Sequence, residues 1–265
     1  MTALATRDLK VHFGGVKAVD GLSLSIREGG VHAIIGPNGA GKTSFINAMT
    51  GVYRPTAGRV LFDGIDVTGK PAHALARLGM TRTFQNLQVF WTMSVLENVV
   101  CGFYLHSSNG FWPGLFRTPS LVRRSRDIES KAFSLLEKVG LAARASDAAK
   151  ALSYGELKRL EIARAIACEP KVLLLDEPVA GCTSLEKRSV GQLIRSIAET
   201  SQTTIILVEH DMKLVMSISD RVSVLVEGKL FADGTPEFVR NDHAVIEAYL
   251  GKPAERRERE RAATG

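Results

Sequence analysis

The stretch Val31-His32-Ala33-Ile34-Ile35-Gly36-Pro37-Asn38-Gly39-Ala40-Gly41-Lys42-Thr43 decides the fold of this chain. Its first five residues form a short, nearly all-apolar run, which is typical of a strand buried on both faces of a sheet. The next eight fit the pattern G-x-x-x-x-G-K-[ST], and a helix-like segment, Ser44–Thr50, follows them. Glycines in such a loop let backbone N–H groups converge on phosphate oxygens at a helix N-terminus, whose dipole also favours anions. The stretch therefore predicts a strand, a phosphate-binding loop and a helix.

Two side chains of this loop have specific predicted roles. We expect Lys42 to reach the β- and γ-phosphates of a nucleotide and the Thr43 hydroxyl to bind Mg²⁺. The other predicted nucleotide-binding residues of the loop are Gly36, Pro37, Asn38, Gly39, Ala40 and Gly41. Glycine makes up about 7% of an average protein, so a random chain of this length matches the pattern roughly once in a hundred. Nucleotide binding is thus favoured over a chance glycine turn.

Composition narrows the class of protein. The chain has 265 residues, 45% hydrophobic and 23% charged, which is typical of a globular protein and argues against disorder, collagen or coiled coil. Its net charge of +6 favours anionic partners without choosing among nucleotide, nucleic acid and membrane. No apolar run approaches the roughly 18 residues of a membrane helix. Residues 1–10 lack the apolar core of a signal peptide, and the three cysteines lack C-x-x-C spacing, so a reducing cytosol is expected.

Periodic patterns predict the other elements of the chain. Alternating apolar and polar residues, interrupted by glycines, predict short antiparallel strands within residues 1–30 and a strand pair at Arg59–Phe62 and Ile65–Val67. Two further apolar runs, Val172–Leu175 and Thr204–Val208, predict more strands of a parallel sheet. Helical spacing predicts helices at about 125–140, at 155–168, and from Pro236 to Leu250 behind a Thr235 cap. A loop is expected at residues 107–119.

Two acids end the strand Val172–Leu175. Asp176 is expected on the Mg²⁺ side, and Glu177 is expected to orient and deprotonate an attacking water. A solvated acidic turn is the alternative when the motif is considered alone. His210 ends the next apolar strand, where a single histidine is more often structural than functional.

A third motif, Leu152-Ser153-Tyr154-Gly155-Glu156, opens a segment with helical spacing. A helix start of this kind offers amide groups to an anion, although an ordinary N-cap is the alternative. The order of these motifs resembles that of the ATP-binding subunits of ABC transporters over about residues 9–251. The resemblance implies an α/β fold, with a P-loop (RecA-like) parallel-sheet core, an antiparallel β subdomain and an inserted helical subdomain. It also implies one ATPase domain over residues 1–251, with the insertion at about 86–165, and a charged tail over 252–265.

The resemblance implies roles for further residues. Phe13 looks like the aromatic residue that stacks on adenine, and Gln85 looks like the glutamine that touches Mg²⁺ and the water. Ser153, Gly155 and Glu156 lie in the signature that contacts ATP bound to another subunit. Glu177 resembles the catalytic base, and His210 resembles the switch histidine.

A finer likeness is to the larger ATPase of branched-chain amino-acid uptake systems. It rests on strings such as Leu160-Glu161-Ile162-Ala163-Arg164 and on the stretch from Gly234 to Gly251. It implies ATP hydrolysis with Mg²⁺, a second ATPase subunit (identical or paralogous) and two permease subunits, on the cytoplasmic side of the inner membrane. No nucleic acid is expected. Urea or short-amide uptake, lipopolysaccharide export and a soluble non-transport ABC ATPase remain alternatives.

Three positions depart from the family pattern. Tyr154 replaces the second glycine of Leu-Ser-Gly-Gly-Gln, and Glu156 replaces its glutamine. Thr183 stands in the D-loop where an Asp or Asn is expected. This last departure leaves open how two sites communicate.

Overall fold

The computed structural model describes residues 1–104 and 119–250. The chain divides into two compact units, one made of Met1–Ala72 with Ile206–Gly265 and the other of His73–Ile205. Within the described residues, no helix is both long and apolar enough to cross a membrane.

Strands and helices are numbered in chain order. The strands are β1 (Thr2–Phe13), β2 (Val16–Arg27), β3 (Val31–Ile35), β4 (Ala57–Phe62), β5 (Ile65–Asp66), β6 (Met80–Arg82), β7 (Val172–Asp176), β8 (Thr204–Val208), β9 (Arg221–Val226) and β10 (Lys229–Gly234). The helices are α1 (Lys42–Met49), α2 (Ala72–Arg77), α3 (Val95–Phe103), α4 (Pro119–Lys138), α5 (Tyr154–Ala167), α6 (Ser184–Thr200), α7 (Met212–Ile218), α8 (Pro236–Asn241) and α9 (His243–Leu250). Two 3₁₀ turns lie at Ala142–Arg144 and Ala149–Ala151.

The first unit holds the predicted antiparallel strands. They form a sheet in the order β2-β1-β4-β5, in which β1 is antiparallel to both of its neighbours. The β4–β5 hairpin turns at Asp63-Gly64, where both residues have positive φ (50° and 75°), as expected for a tight turn of this sequence. The antiparallel pairing predicted at the chain's start and at residues 59–67 is confirmed, but β1 and β2 are not short: each has 12 residues, because register shifts let their pairing continue past the irregular positions.

The same unit contains β3, which is buried at all five positions. Strand β3 runs parallel to β9, with Ile34 opposite Ser223, and β9 pairs antiparallel with β10. A buried strand followed directly by a loop and a helix carries the loop to the carboxyl end of the sheet, where ligands bind in open α/β sheets. The predicted strand–loop–helix order is therefore confirmed.

The second unit has a parallel strand pair and a helical part. Strand β7 is buried at all five positions and runs parallel to β6, with Met80 opposite Val172. Helices α3, α4 and α5 share a buried apolar cluster, because their apolar residues recur at three- and four-residue spacing. Its fully buried members include Val95, Val99, Ala132, Leu136 and Leu160.

The structure corrects the prediction for the C-terminal element. The expected single helix from Pro236 to Leu250 is two helices, because the chain is extended at Asp242. The Asp242 carboxylate accepts hydrogen bonds from Ala244 N (2.9 Å) and Val245 N (3.4 Å), so an aspartate side chain competes with the helical backbone and starts α9. The predicted loop at 107–119 falls outside the described residues except for Pro119, the first residue of α4. The predicted tail, 252–265, lies outside them too.

Candidate functional site

The phosphate loop is organised around Lys42. Its side chain is only 7% exposed, although it carries a charge. Its Nζ donates hydrogen bonds to the carbonyl oxygens of Gly36 (2.7 Å) and Pro37 (3.0 Å), so the ammonium group spans the loop from the helix back to the strand end. An ammonium group that carbonyl oxygens already hold inside the loop is preorganised to meet a phosphate.

Two glycines allow the loop to lie against neighbouring backbone. A Cβ on Gly36 would lie 2.2 Å from the Leu225 carbonyl oxygen, and a Cβ on Gly41 would lie 2.1 Å from that of Ala18. Gly41 also has a φ of 91°, a left-handed conformation that other residues rarely adopt. The loop is further fixed by the Gly228 N–H, which donates to the Ala40 carbonyl (3.0 Å).

Helix α1 begins in a different way from other helices of the chain. Within residues 1–104 and 119–250, six helices begin with side-chain caps, from Ser94, Ser153, Thr183, Asp211, Thr235 and Asp242. At α1 the N-cap is Gly41, which has no side chain to cap the first turn. An uncapped helix N-terminus beside a glycine loop is a favourable site for an anion. Thr43 lies exposed in this first turn, where its hydroxyl is accessible.

An exposed aromatic pair lies in the same unit. Phe13, at the end of β1, contacts Tyr53 edge to face with ring centroids 5.4 Å apart. Phe13 is 47% exposed and Tyr53 is 39% exposed, so apolar ring surface remains open to solvent. Phe13 was predicted to meet adenine; Tyr53 was missed, because its pairing with Phe13 joins residues far apart in sequence.

His210 also belongs to the first unit, after β8. It is exposed, and its backbone N–H donates to the carboxylate of the buried Glu209 (3.0 Å). Asp211 then caps α7 through Lys213 N and Leu214 N. Together these bonds fix the backbone on both sides of His210 while its imidazole lies at the surface.

The second unit brings Gln85 and Glu177 together. The Gln85 Nε2 donates to the Glu177 Oε2 at 3.1 Å. Glu177 has a φ of 49°, which costs a non-glycine residue on the order of 1 kcal/mol and is a feature that clusters at functional positions. Two of the three predicted catalytic residues thus lie in hydrogen-bond contact, directly after the buried strand β7.

Asp176 has a partner that the sequence analysis did not identify. Arg82 donates to the Asp176 Oδ2 at 2.7 Å, and the two side chains are 8% and 9% exposed. The Asp176 N–H also donates to the Thr83 hydroxyl (3.3 Å). The carboxylate assigned to the Mg²⁺ side is therefore held in one orientation by a buried guanidinium.

The signature residues begin α5 with a capping box. The Ser153 hydroxyl accepts from Glu156 N (3.4 Å), and the Glu156 carboxylate accepts from Ser153 N (2.7 Å). Burial acts to raise the pKa of Glu156, but the Ser153 bonds and nearby Arg144 outweigh it and hold the pKa below its usual value. The ordinary N-cap considered as an alternative is thus present in this structure.

Gly155 lies against the next helix. A Cβ at this position would lie 2.3 Å from the Glu186 Oε1, and the Gly155 N–H donates to that carboxylate. Thr183, the departure from the expected Asp or Asn, caps α6 in a second capping box with Glu186. A threonine here serves the same structural purpose as an aspartate or asparagine, because all three accept a backbone hydrogen bond at an N-cap.

The residues present fit a nucleotide with Mg²⁺. Within residues 1–104 and 119–250, no three His, Cys, Asp or Glu side chains are grouped to hold a metal ion. Mg²⁺ is commonly held by one or two protein oxygens together with substrate phosphates. The Thr43 hydroxyl and the Asp176 carboxylate are oxygen donors of this kind.

Comparison with known proteins adds independent evidence. The profile of the ABC transporter family matches residues 19–180, and that of the branched-chain amino acid ATP-binding cassette transporter matches residues 229–255. The high-affinity branched-chain amino acid transport ATP-binding protein BraF of Pseudomonas aeruginosa is 44% identical over 249 residues, covering 94% of this chain and 98% of that protein. The LivG protein of Escherichia coli, described in the same words, is 42% identical over the same shares of both chains.

Solved structures agree with these sequences. The ADP conformation of an ATP-binding cassette of an ABC transporter has a TM-score of 0.82 and 33% identity, covering 95% of this chain and 100% of that one. A nucleotide-free ATP-binding cassette has a TM-score of 0.81 and 32% identity over the same shares. The family profile covers most of the chain, and the relatives match it nearly end to end. The chain therefore belongs to the ABC transporter family, as an ATP-binding subunit that hydrolyses ATP.

Proposed function

We propose that this chain is the ATP-hydrolysing subunit of an importer for branched-chain amino acids. Support comes from the relatives, which are described as branched-chain amino acid transport ATP-binding proteins, and from the C-terminal profile over residues 229–255. That segment lies outside the phosphate loop and the strand-end acids, which many ATPases share. It therefore distinguishes this class of transporter better than the ATPase motifs do.

The nucleotide is held by the phosphate loop in this proposal. Lys42 binds the β- and γ-phosphates, and the backbone N–H groups of residues 36–43 surround them. Phe13 stacks on the adenine ring. Thr43, Asp176 and Gln85 would hold Mg²⁺, which neutralises phosphate charge when bound.

Hydrolysis is assigned to the pair in the second unit. The observation that carries the assignment is the 3.1 Å hydrogen bond from Gln85 to the Glu177 carboxylate. Glu177 takes a proton from the attacking water at its carboxylate, and Gln85 keeps that carboxylate oriented. His210, whose backbone is fixed while its ring is exposed, would respond to the γ-phosphate in this proposal.

Glu177→Gln tests this assignment. The change removes the base but keeps the shape, so ATP should still bind while hydrolysis nearly stops and a closed dimer accumulates. ATP affinity, single-turnover hydrolysis and gel filtration with ATP measure the three effects. Turnover at the wild-type rate would remove Glu177 from the role of base.

The proposed partners are a second ATPase subunit, identical or paralogous, and two permease subunits. The chain would work at the cytoplasmic side of the inner membrane as a peripheral subunit, and closure of two ATPase subunits would drive transport. Ser153, Gly155 and Glu156 would contact ATP bound to the other subunit. In the single chain the Ser153 hydroxyl accepts from Glu156 N and keeps its O–H as a donor for a phosphate, whereas the Gly155 N–H donates to Glu186 and would have to leave that carboxylate.

Transport itself is tested with the assembled complex in liposomes. Labelled leucine should be taken up when ATP is present, and the Glu177→Gln complex is the matched control without hydrolysis. Uptake of urea or a short amide in place of leucine would change the proposed substrate and leave the ATPase assignment intact.

A further inference from the structure

Three long side chains of α5 point to one loop. Lys158, Glu161 and Arg164 are spaced three residues apart, so they share one face of the helix. Each contacts residues 83–91, which we term the Gln loop because it contains Gln85. Arg164 lies over the ring of Phe90, with its guanidinium carbon 4.7 Å from the ring centre.

Lys158 and Glu161 form a buried ion pair. Lys158 Nζ lies 3.7 Å from the Glu161 Oε2, and the side chains are 1% and 7% exposed. Replacing a buried ion pair with apolar residues of similar volume is often neutral or stabilising. Stability of the helix alone therefore gives no reason for a charged pair at these positions.

The pair bonds to the main chain on both sides of Gln85. Lys158 Nζ donates to the Gln85 carbonyl at 3.4 Å, and Gln88 N donates to the Glu161 Oε1 at 3.4 Å. Burial raises the pKa of Glu161, while Lys158 and N–H donors from Gln88 and Phe84 act in the opposite direction. Main-chain atoms of Phe84, Gln85 and Gln88 thus form hydrogen bonds with two buried side chains of α5.

We propose that Lys158 and Glu161 are positioning residues for Gln85. They fix the main chain of the Gln loop to α5, the helix that begins at Ser153, so that the Gln85 amide meets the Glu177 carboxylate. The inference rests on the proposed role of Gln85 in hydrolysis. It adds a physical connection between the signature helix and the glutamine, made by two residues outside the predicted nucleotide-binding set.

The main experiment replaces both charges at once. Lys158→Met/Glu161→Gln keeps the volume of both side chains and removes both charges of the ion pair together, and it also removes the donor to the Gln85 carbonyl. We expect the melting temperature to stay near that of the wild type, kcat for ATP hydrolysis to fall by about 10-fold or more, and KM for ATP to change by less than about two-fold. Arg195→Met/Glu199→Gln, a matched change of an ion pair on α6 (2.7 Å), should leave kcat unchanged.

A second, milder variant tests the same role if the double variant does not fold. Glu161→Asp keeps the charge beside Lys158 but shortens the reach to Gln88 by one methylene, and the same loss of kcat is expected. Loop position is followed separately by acrylamide quenching of Trp91 in a Trp112→Phe background, because Trp91 lies in the Gln loop and is 46% exposed. Quenching should increase in both variants at equal melting temperature.

Gln85→Ala separates this inference from the proposed function. In that background, the double substitution should change kcat by less than about two-fold, since the residue being positioned is gone. If Gln85→Ala alone leaves kcat at the wild-type value, the proposed role of Gln85 fails and the positioning role fails with it. If Gln85→Ala lowers kcat but the folded double variant hydrolyses ATP at the wild-type rate, only the positioning role is overturned.

Discussion

Lys42→Ala has two separable consequences that the structure allows us to estimate. The ammonium donates to two carbonyl oxygens in the protein without ligand, at 2.7 and 3.0 Å, while only 7% exposed. Hydrogen bonds to charged groups contribute about 1.5–3 kcal/mol, but water can enter the truncated site, so we expect a net loss of about 2 kcal/mol of stability. In a protein of this size that corresponds to a fall of about 4–8 °C in melting temperature.

The second consequence concerns ATP. Removal of the charged hydrogen bonds to phosphate should weaken binding by about 1.5–3 kcal/mol, which is roughly 10- to 150-fold in Kd. A fluorescent ATP analogue titrated with Mg²⁺ measures the affinity, and thermal denaturation without nucleotide measures the stability. Lys70→Ala removes an exposed lysine of the same unit and should change neither quantity.

Each measurement can refute a different part of this prediction. An unchanged Kd would show that residues 36–43 are not the phosphate site. A weakened Kd with an unchanged melting temperature would leave the phosphate site intact and refute the estimate based on the two carbonyl bonds.

The remaining predictions concern three other positions. Arg82→Met should destabilise the protein by about 3–5 kcal/mol in urea titrations because it leaves the buried Asp176 carboxylate unpaired, and a loss below about 1 kcal/mol would show that water reaches the pair. Burial lowers the pKa of His32 to about 4 from 6.5, so the unfolded chain takes up this proton at a higher pH than the folded protein does. The free energy of unfolding therefore includes about 3 kcal/mol that is present above pH 6.5 and is lost as the pH falls towards 4. His32→Gln should flatten that part of the stability–pH curve, and an unaltered slope would assign it to other groups. Mixing Ser153→Arg with Lys42→Ala subunits should give more ATPase activity than either variant alone, because a mixed head-to-tail dimer has one site in which both Lys42 and Ser153 are intact. No gain at any mixing ratio would contradict the proposal that each ATP site is formed by two subunits.

Much of the fold could be predicted from local pattern. The strands β3, β7 and β8 are nearly all-apolar runs, and the structure buries every position of each. The prediction failed at the C-terminal element because its apolar spacing continues through residue 242, while the cap at Asp242 interrupts the backbone. A side chain that competes for backbone N–H groups leaves no trace in hydrophobic periodicity.

The sequence does not reveal the roles of Arg82, Lys158 and Glu161 for a different reason. Arg82 bonds to Asp176 across 94 positions, and Lys158 and Glu161 bond to the Gln loop across 73. Motif spacing identifies groups that are close in sequence or that follow a known order, and it carries no information on which distant side chain is a partner. The string containing Glu161 was noted in the sequence only as a mark of similarity; its contacts give it a physical role.

Two residues in the signature and the D-loop show how a departure from a family pattern is accommodated. Tyr154 stands where a glycine is usual, and its ring lies 3.1 Å from the position that a Cβ on Gly181 would occupy. Gly181 also has a φ of 78°, so a larger residue there would be strained as well as in contact with the ring. A side chain at 181 would therefore have to displace the Tyr154 ring by a few tenths of an ångström as well as adopt a positive φ, so the start of α5 restricts residue 181 of the D-loop. Thr183 supplies the N-cap that an Asp or Asn would give, so the departure at residue 183 leaves the start of α6 intact.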